Sequence, residues 1–89
     1  MVFGVYSIRD KYTGFMQPSL DVNDQAAVRN FANAIKSAND GSIMAFAPAD
    51  FDLYKLGTFD SDKGIFETQI PEFIIAGSTA FGGNNEIEV

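Results

Sequence analysis

Two close pairs of aspartates, Asp50 with Asp52 and Asp60 with Asp62, are the first residues in this chain that could do chemistry. Alternate residues of an extended chain point the same way, so each pair can share a face. Acid/base work also requires burial that drives the two pKa values apart, and hairpin ends are usually wet. The chain contains neither His nor Cys, which rules out Ser-His-Asp and Cys-His nucleophile systems, disulfides and the usual zinc ligand sets. The run "DSDKG" invites a calcium reading, but with Gly64 at loop position six the ligand positions fall on Phe59, Ser61 and Lys63, and the pattern fails. "AFGGNN" lacks the lysine and following helix of a phosphate-cradling loop. No catalytic residue, metal or cofactor is expected.

Binding chemistry is better represented. Arg9, Lys11 and Tyr12 cluster around one Gly-containing turn, and Tyr54, Lys55, Lys63 and Phe66 surround another. Aromatics interleaved with cations are what a single-strand binder uses: bases stack on the rings while cations track the backbone. Arg9, Lys11, Tyr12, Tyr54, Lys55 and Lys63 are therefore the candidate nucleic-acid-binding residues. The plainer account makes Tyr6, Tyr54 and Phe66 sheet-core residues with lysines keeping the hairpins soluble. A net charge of −6 weighs toward that account, since duplex binders are usually basic. Arg29 and Lys36, seven apart with Asn33 between them, share a helix face. They are candidates for meeting an acidic partner or a phosphate, although such a face is more often simply solvated.

These residues need elements to hold them. Val2 to Arg9 alternates as a strand, Asp10 to Gly14 reads as a bulged turn, and Phe15 to Gln17 starts a return strand limited by Pro18. Asn23 is a good N-cap, and Ala27, Val28, Phe31, Ala34, Ile35 and Ala38 recur at helical spacing up to Asn39, before the stop at Gly41. Residues 41–50 read as a loop. Phe51 to Phe59 is a strand, Asp60 to Gly64 a turn, and Ile65 to Ile70 a strand that Pro71 breaks. Phe73 to Ala76 is either an edge strand or a docking turn. The expected fold is α+β: an antiparallel sheet of two β-hairpins (strand-strand-helix-strand-strand) with one amphipathic helix packed on one face. Residues 1–80 form a single domain and 81–89 a flexible tail. The two turns echo each other: Asp10 and Gly14 match Asp60 and Gly64, and such a skeleton is turn chemistry whatever the function.

Eighty-nine residues bury only roughly 60–65% of their unfolded surface. Nine Phe and three Tyr supply the core, and a homodimer is the expected route to further burial. No run approaches the about 18 apolar residues of a membrane span, and the start lacks a signal peptide's pattern. A soluble intracellular protein without membrane contact is expected.

Taken in order, "YSIRDKYTGF", "NDQAAVRNFANAI" and "PADFDLYKLGTFDSDKGIFE" resemble the small nonstructural protein of gokushovirus-type microviruses, phages with single-stranded DNA genomes. The matching positions are Tyr6, Ile8, Arg9, Asp10, Gly14, Phe15, Ala27, Arg29 and Phe31, then Pro48, Asp50, Phe51, Leu53, Tyr54, Leu56, Gly57, Phe59, Asp60 and Gly64. The "GSIMAFAPAD" region and the Gly-Asn tail depart from that pattern. The resemblance implies a nonstructural factor of viral genome replication in the cytoplasm of the infected bacterial host. It implies single-stranded DNA, or phage and host replication proteins, as partners, and it carries no catalytic residue. The alternatives are an acidic adaptor that never touches DNA and a minor assembly protein.

Overall fold

The computed structural model describes residues 1–36 and 47–80. Its elements are β1 (Val2–Asp10), β2 (Gly14–Phe15), β3 (Ser19–Asp21), α1 (Asp24–Lys36), a 3-10 turn (Pro48–Asp50), β4 (Phe51–Asp60) and β5 (Ile65–Ala76). Residues 77–80 are helical. The expected helix end at Asn39, the loop over 41–46 and the tail at 81–89 lie outside the described residues.

All pairings are antiparallel. β1 carries β2 and β3 on one side and β4 on the other, and β5 pairs with the far side of β4. The return strand expected at Phe15 to Gln17 is in fact divided into β2 and β3. Pro18 lies between them and cannot donate to a ladder. The connecting segment still hugs β1: the Met16 N–H donates to the Ile8 carbonyl at 2.8 Å, and the buried Ser7 hydroxyl donates to the Met16 carbonyl at 2.5 Å. β5 departs further from expectation, because it runs through Pro71 instead of stopping there. It is the edge strand, and its register shifts opposite Lys55 to Gly57, so a missing N–H is tolerated at that position. Phe73 to Ala76 is thereby the continuation of β5.

α1 is built as its sequence directs. The Asn23 side chain accepts the Ala26 N–H at 2.8 Å, Asp24 sits in the first turn and Lys36 in the last. Ala27, Phe31, Ala32 and Ile35 are buried, whereas Ala34 is exposed: the apolar stripe is rotated toward Val28 and Ala32. This face packs on Tyr6, Ile8, Phe51, Leu53 and Ile75, with Ala80 closing the core.

The echoed turns share one construction. Asp10 Oδ1 accepts the Tyr12 N–H at 2.9 Å, and Asp60 Oδ1 accepts the Asp62 N–H at 2.9 Å. Gly14 and Gly64 then supply the left-handed residue, at φ +95 and +69. Because Val2 pairs with Asp60 and Asp10 with Phe51, the two turns project from opposite ends of the sheet. Eight residue steps of strand separate them, roughly 27 Å.

Gly57 is where the sheet bends. Both ladders of β4 shift register beside it, and a Cβ built there would lie 2.0 Å from the Glu67 carbonyl oxygen. Gly57→Ala should therefore destabilise the fold by about 2–4 kcal/mol, through displaced backbone. Gly14→Ala, with nothing within 4 Å of the added carbon, should cost only about 1–2 kcal/mol for its φ. Urea midpoints of the two variants check this, and equal losses would show that Gly57 is not a packing constraint.

Candidate nucleic-acid interface

The alternation of β4 sends its side chains to two different environments. Phe51, Leu53 and Lys55 face α1, and Tyr54 faces away from it, paired with Ser7 on β1 and Phe73 on β5. The Gly57 bulge resets the phase, so Phe59 joins Tyr54 on the far side, paired with Phe3 and Phe66. Among the described residues no element packs on this second face.

Aromatics line it. The Tyr54 ring stands edge-on to Phe15, with centroids 5.4 Å apart, and to Phe73 at 5.8 Å. Phe59 and Phe66 lie tilted at 4.6 Å. Edge-on and tilted contacts suit the ring quadrupoles and hold each ring in place. Phe15, Phe66 and Phe73 keep 45%, 61% and 53% of their surface in water. The charged residues on these strands that share this face are Arg9 and Asp52, which sit opposite each other in the β1–β4 ladder. Glu67 and Glu72 pair with Thr58 and Lys55 and belong to the helix side, as does Asp21, which accepts a hydrogen bond from Asn30 of α1 at 2.7 Å.

The candidate residues named from sequence are thus divided among several places. Arg9, Lys11 and Tyr12 gather at the first turn, with the Lys11 N–H held by the Asp50 carbonyl at 3.0 Å and Tyr12 exposed. Tyr54 is central on the aromatic face. Lys55 is its neighbour in sequence but on the opposite face, where its ammonium lies 3.7 Å from Asp24 and 6.0 Å above the Tyr6 ring. Lys63 occupies the second turn at the far end. Arg29 and Lys36 are exposed on α1, also away from the aromatic face. Phe3, Phe15, Phe59 and Phe73 were not singled out as site residues from sequence. Their common signal, apolar residues in both phases of the strands, is obscured by the phase change at Gly57. Among the described residues no group of three or more His, Cys, Asp or Glu side chains forms a metal-ligand set, and no helix is long and apolar enough to cross a membrane.

On the helix side, Tyr6 is buried and its hydroxyl donates to the Asp24 carboxylate. Burial first, and then the hydrogen bond and charge of Asp24, push its pKa well above the usual 10.0.

A family model described as "Phage ORF5 protein" matches residues 3–80 of the chain. No curated protein and no solved structure matches.

The Tyr6–Asp24 bond generates a test with a definite sign. The folded state keeps Tyr6 protonated at a pH where the unfolded chain ionises it. The resulting stability is complete below pH 10.0 and is lost as pH rises above that value. Tyr6→Phe should cost about 1 kcal/mol at neutral pH, because Asp24 is exposed enough to rehydrate. It should also flatten the alkaline fall in stability. Chemical denaturation at a series of pH values above 9 reads both effects, and identical alkaline slopes would remove Tyr6 as their source.

Proposed function

We propose that this chain, which belongs to the Phage ORF5 protein family, is a nonstructural factor of viral genome replication that holds single-stranded DNA on the aromatic face of its sheet. The carrying observation is the row Phe15–Tyr54–Phe73 beside the pair Phe59–Phe66, on a face without a covering element among the described residues. A base stacked on such a ring gains about 1–3 kcal/mol, without regard to its identity. Arg9 and Lys11 stand at one end of the row, where a phosphate of the same strand would pass. The acidic residues of the flanking strands lie mostly on the helix side, so the strands present one cation and one anion, Arg9 and Asp52, on the aromatic face of a chain of net charge −6. The reading places the protein in a gokushovirus-type microvirus and in the cytoplasm of its bacterial host, and it includes no catalytic step. Lys63 and Lys55 have no part in it, because one is at the far end and the other is on the opposite face.

Stacking-dominated binding has a distinctive salt signature. With only Arg9 and Lys11 near the path, the logarithmic slope of affinity against salt should be shallow, about −1.4 for two phosphates on a single strand. Fluorescence anisotropy of a labelled oligonucleotide is expected to show this slope, with binding to the equivalent duplex much weaker. Phe73→Ala and Phe66→Ala should each weaken binding about 5- to 160-fold, while Lys63→Glu should change it little. Absence of binding at low salt would sink the reading in favour of a protein-binding adaptor or an assembly role. Binding that Lys63→Glu abolishes and Phe73→Ala spares would move it to another surface.

A further inference from the structure

The two edges of the sheet are treated differently by the sequence. One is divided into β2 and β3, of two and three residues, with Pro18 between them. The other is β5, twelve residues long, of which the first nine are exposed without a break. Its inner side pairs with β4, and no described strand pairs with its outer side. β5 contains no Lys, and its protective features, Pro71 and the register shift beside it, lie at one end of the exposed stretch and leave Ile65 to Ile70 open. Ile65, Phe66 and Ile70 expose 51%, 61% and 89% of their surfaces. At roughly 150–250 Å² per large side chain, that is on the order of 400 Å² of apolar surface. A stable interface needs about 800 Å² per partner, so these three side chains supply about half of it, and the paired backbone edge adds to that.

We infer that a second copy of this chain covers the edge, β5 against β5 in antiparallel register about a two-fold axis at Thr68. Identical antiparallel strands are self-complementary, since each residue's outward N–H and C=O meet the same groups in reverse order. A two-fold normal to the sheet keeps each side chain opposite one on the same face, which requires the axis to pass through a residue. An axis at Glu67 would set two carboxylates against each other. An axis at Thr68 sets Thr68 against its twin, Glu67 across from Gln69 and Phe66 across from Ile70, all favourable cross-strand pairs. Pro71 has no N–H and ends the ladder.

The same symmetry puts both aromatic faces on one side of a continuous eight-lane sheet and doubles the length of single strand it can hold. That last consequence rests on the function proposed above, whereas the interface does not.

The test needs no DNA. Sedimentation equilibrium of the full chain up to about 100 μM should give a dimer. Ile70→Lys should give a monomer with an unchanged circular dichroism spectrum. The chain has no native cysteine, so Thr68→Cys introduces a single thiol. Its twin would lie with Cβ atoms about 4.5–5.5 Å away, and mild oxidation should link most of the protein into covalent dimer. Gln25→Cys, exposed on α1, should not cross-link. A wild-type monomer at about 100 μM would overturn the inference and leave the edge to a strand of another protein. A dimer that Ile70→Lys leaves intact and Thr68→Cys fails to link would also overturn it. Disruption by Phe15→Lys alone would put the contact on the aromatic face instead.

Discussion

Among the described residues, one long helix serves as the main cover for a sheet broader than itself. The thirteen residues of α1 make a rod of roughly 20 Å, set against strands about 27 Å long and four lanes across. It can reach one side only, and all its buried residues are spent there. Among the described residues, those on the other side must then be stable in water, be stabilised by their own contacts, or wait for a partner. The aromatic pairs of Tyr54 with Phe15 and Phe73, and of Phe59 with Phe66, answer that constraint locally by bracing rings against one another.

The helix is also anchored off-centre. Its first turn is held by Tyr6, which rises from the middle of β1 to donate to Asp24, with Lys55 reaching the same carboxylate across the ladder. One exposed acidic group therefore receives a buried phenol and a half-buried ammonium from the two central strands. A linear reading leaves Lys55 free for a ligand because it follows Tyr54 in an aromatic-basic dipeptide. In the fold its stem lies on the core and its charge is engaged by Asp24.

How much could be read from the chain depended on whether a feature was local. The N-cap at Asn23, the helical stripe through Phe31 and Ile35, and the paired Asp–Gly turns are each specified within a few residues, and they are where the sequence puts them. The fate of Pro71 was not local: whether a proline ends a strand depends on whether a neighbour needs its N–H, and that is decided by β5 lying at the edge. β3 was overlooked because Ser19–Asp21 carries no strand signal of its own and is placed by its pairing with β1 and by the Asn30 bond to Asp21. The aromatic face escaped for a third reason. Strict alternation assigns Tyr54 and Phe59 to opposite sides of β4, and only the bulge at Gly57 unites them. The direction of the turns likewise required the order of the strands, which no short window contains.

The two sides of the sheet differ in the number of charges they carry more than in their net charge. Asp21, Asp24, Glu67 and Glu72 sit toward the helix together with Arg29, Lys36 and Lys55, while the aromatic side holds Arg9 and Asp52 facing each other across one ladder step. Water is held tightly by ionised groups and loosely by aromatic rings. The aromatic side is therefore the easier one to dry. Whatever the protein meets, the layer of water between the two surfaces leaves most readily from that side.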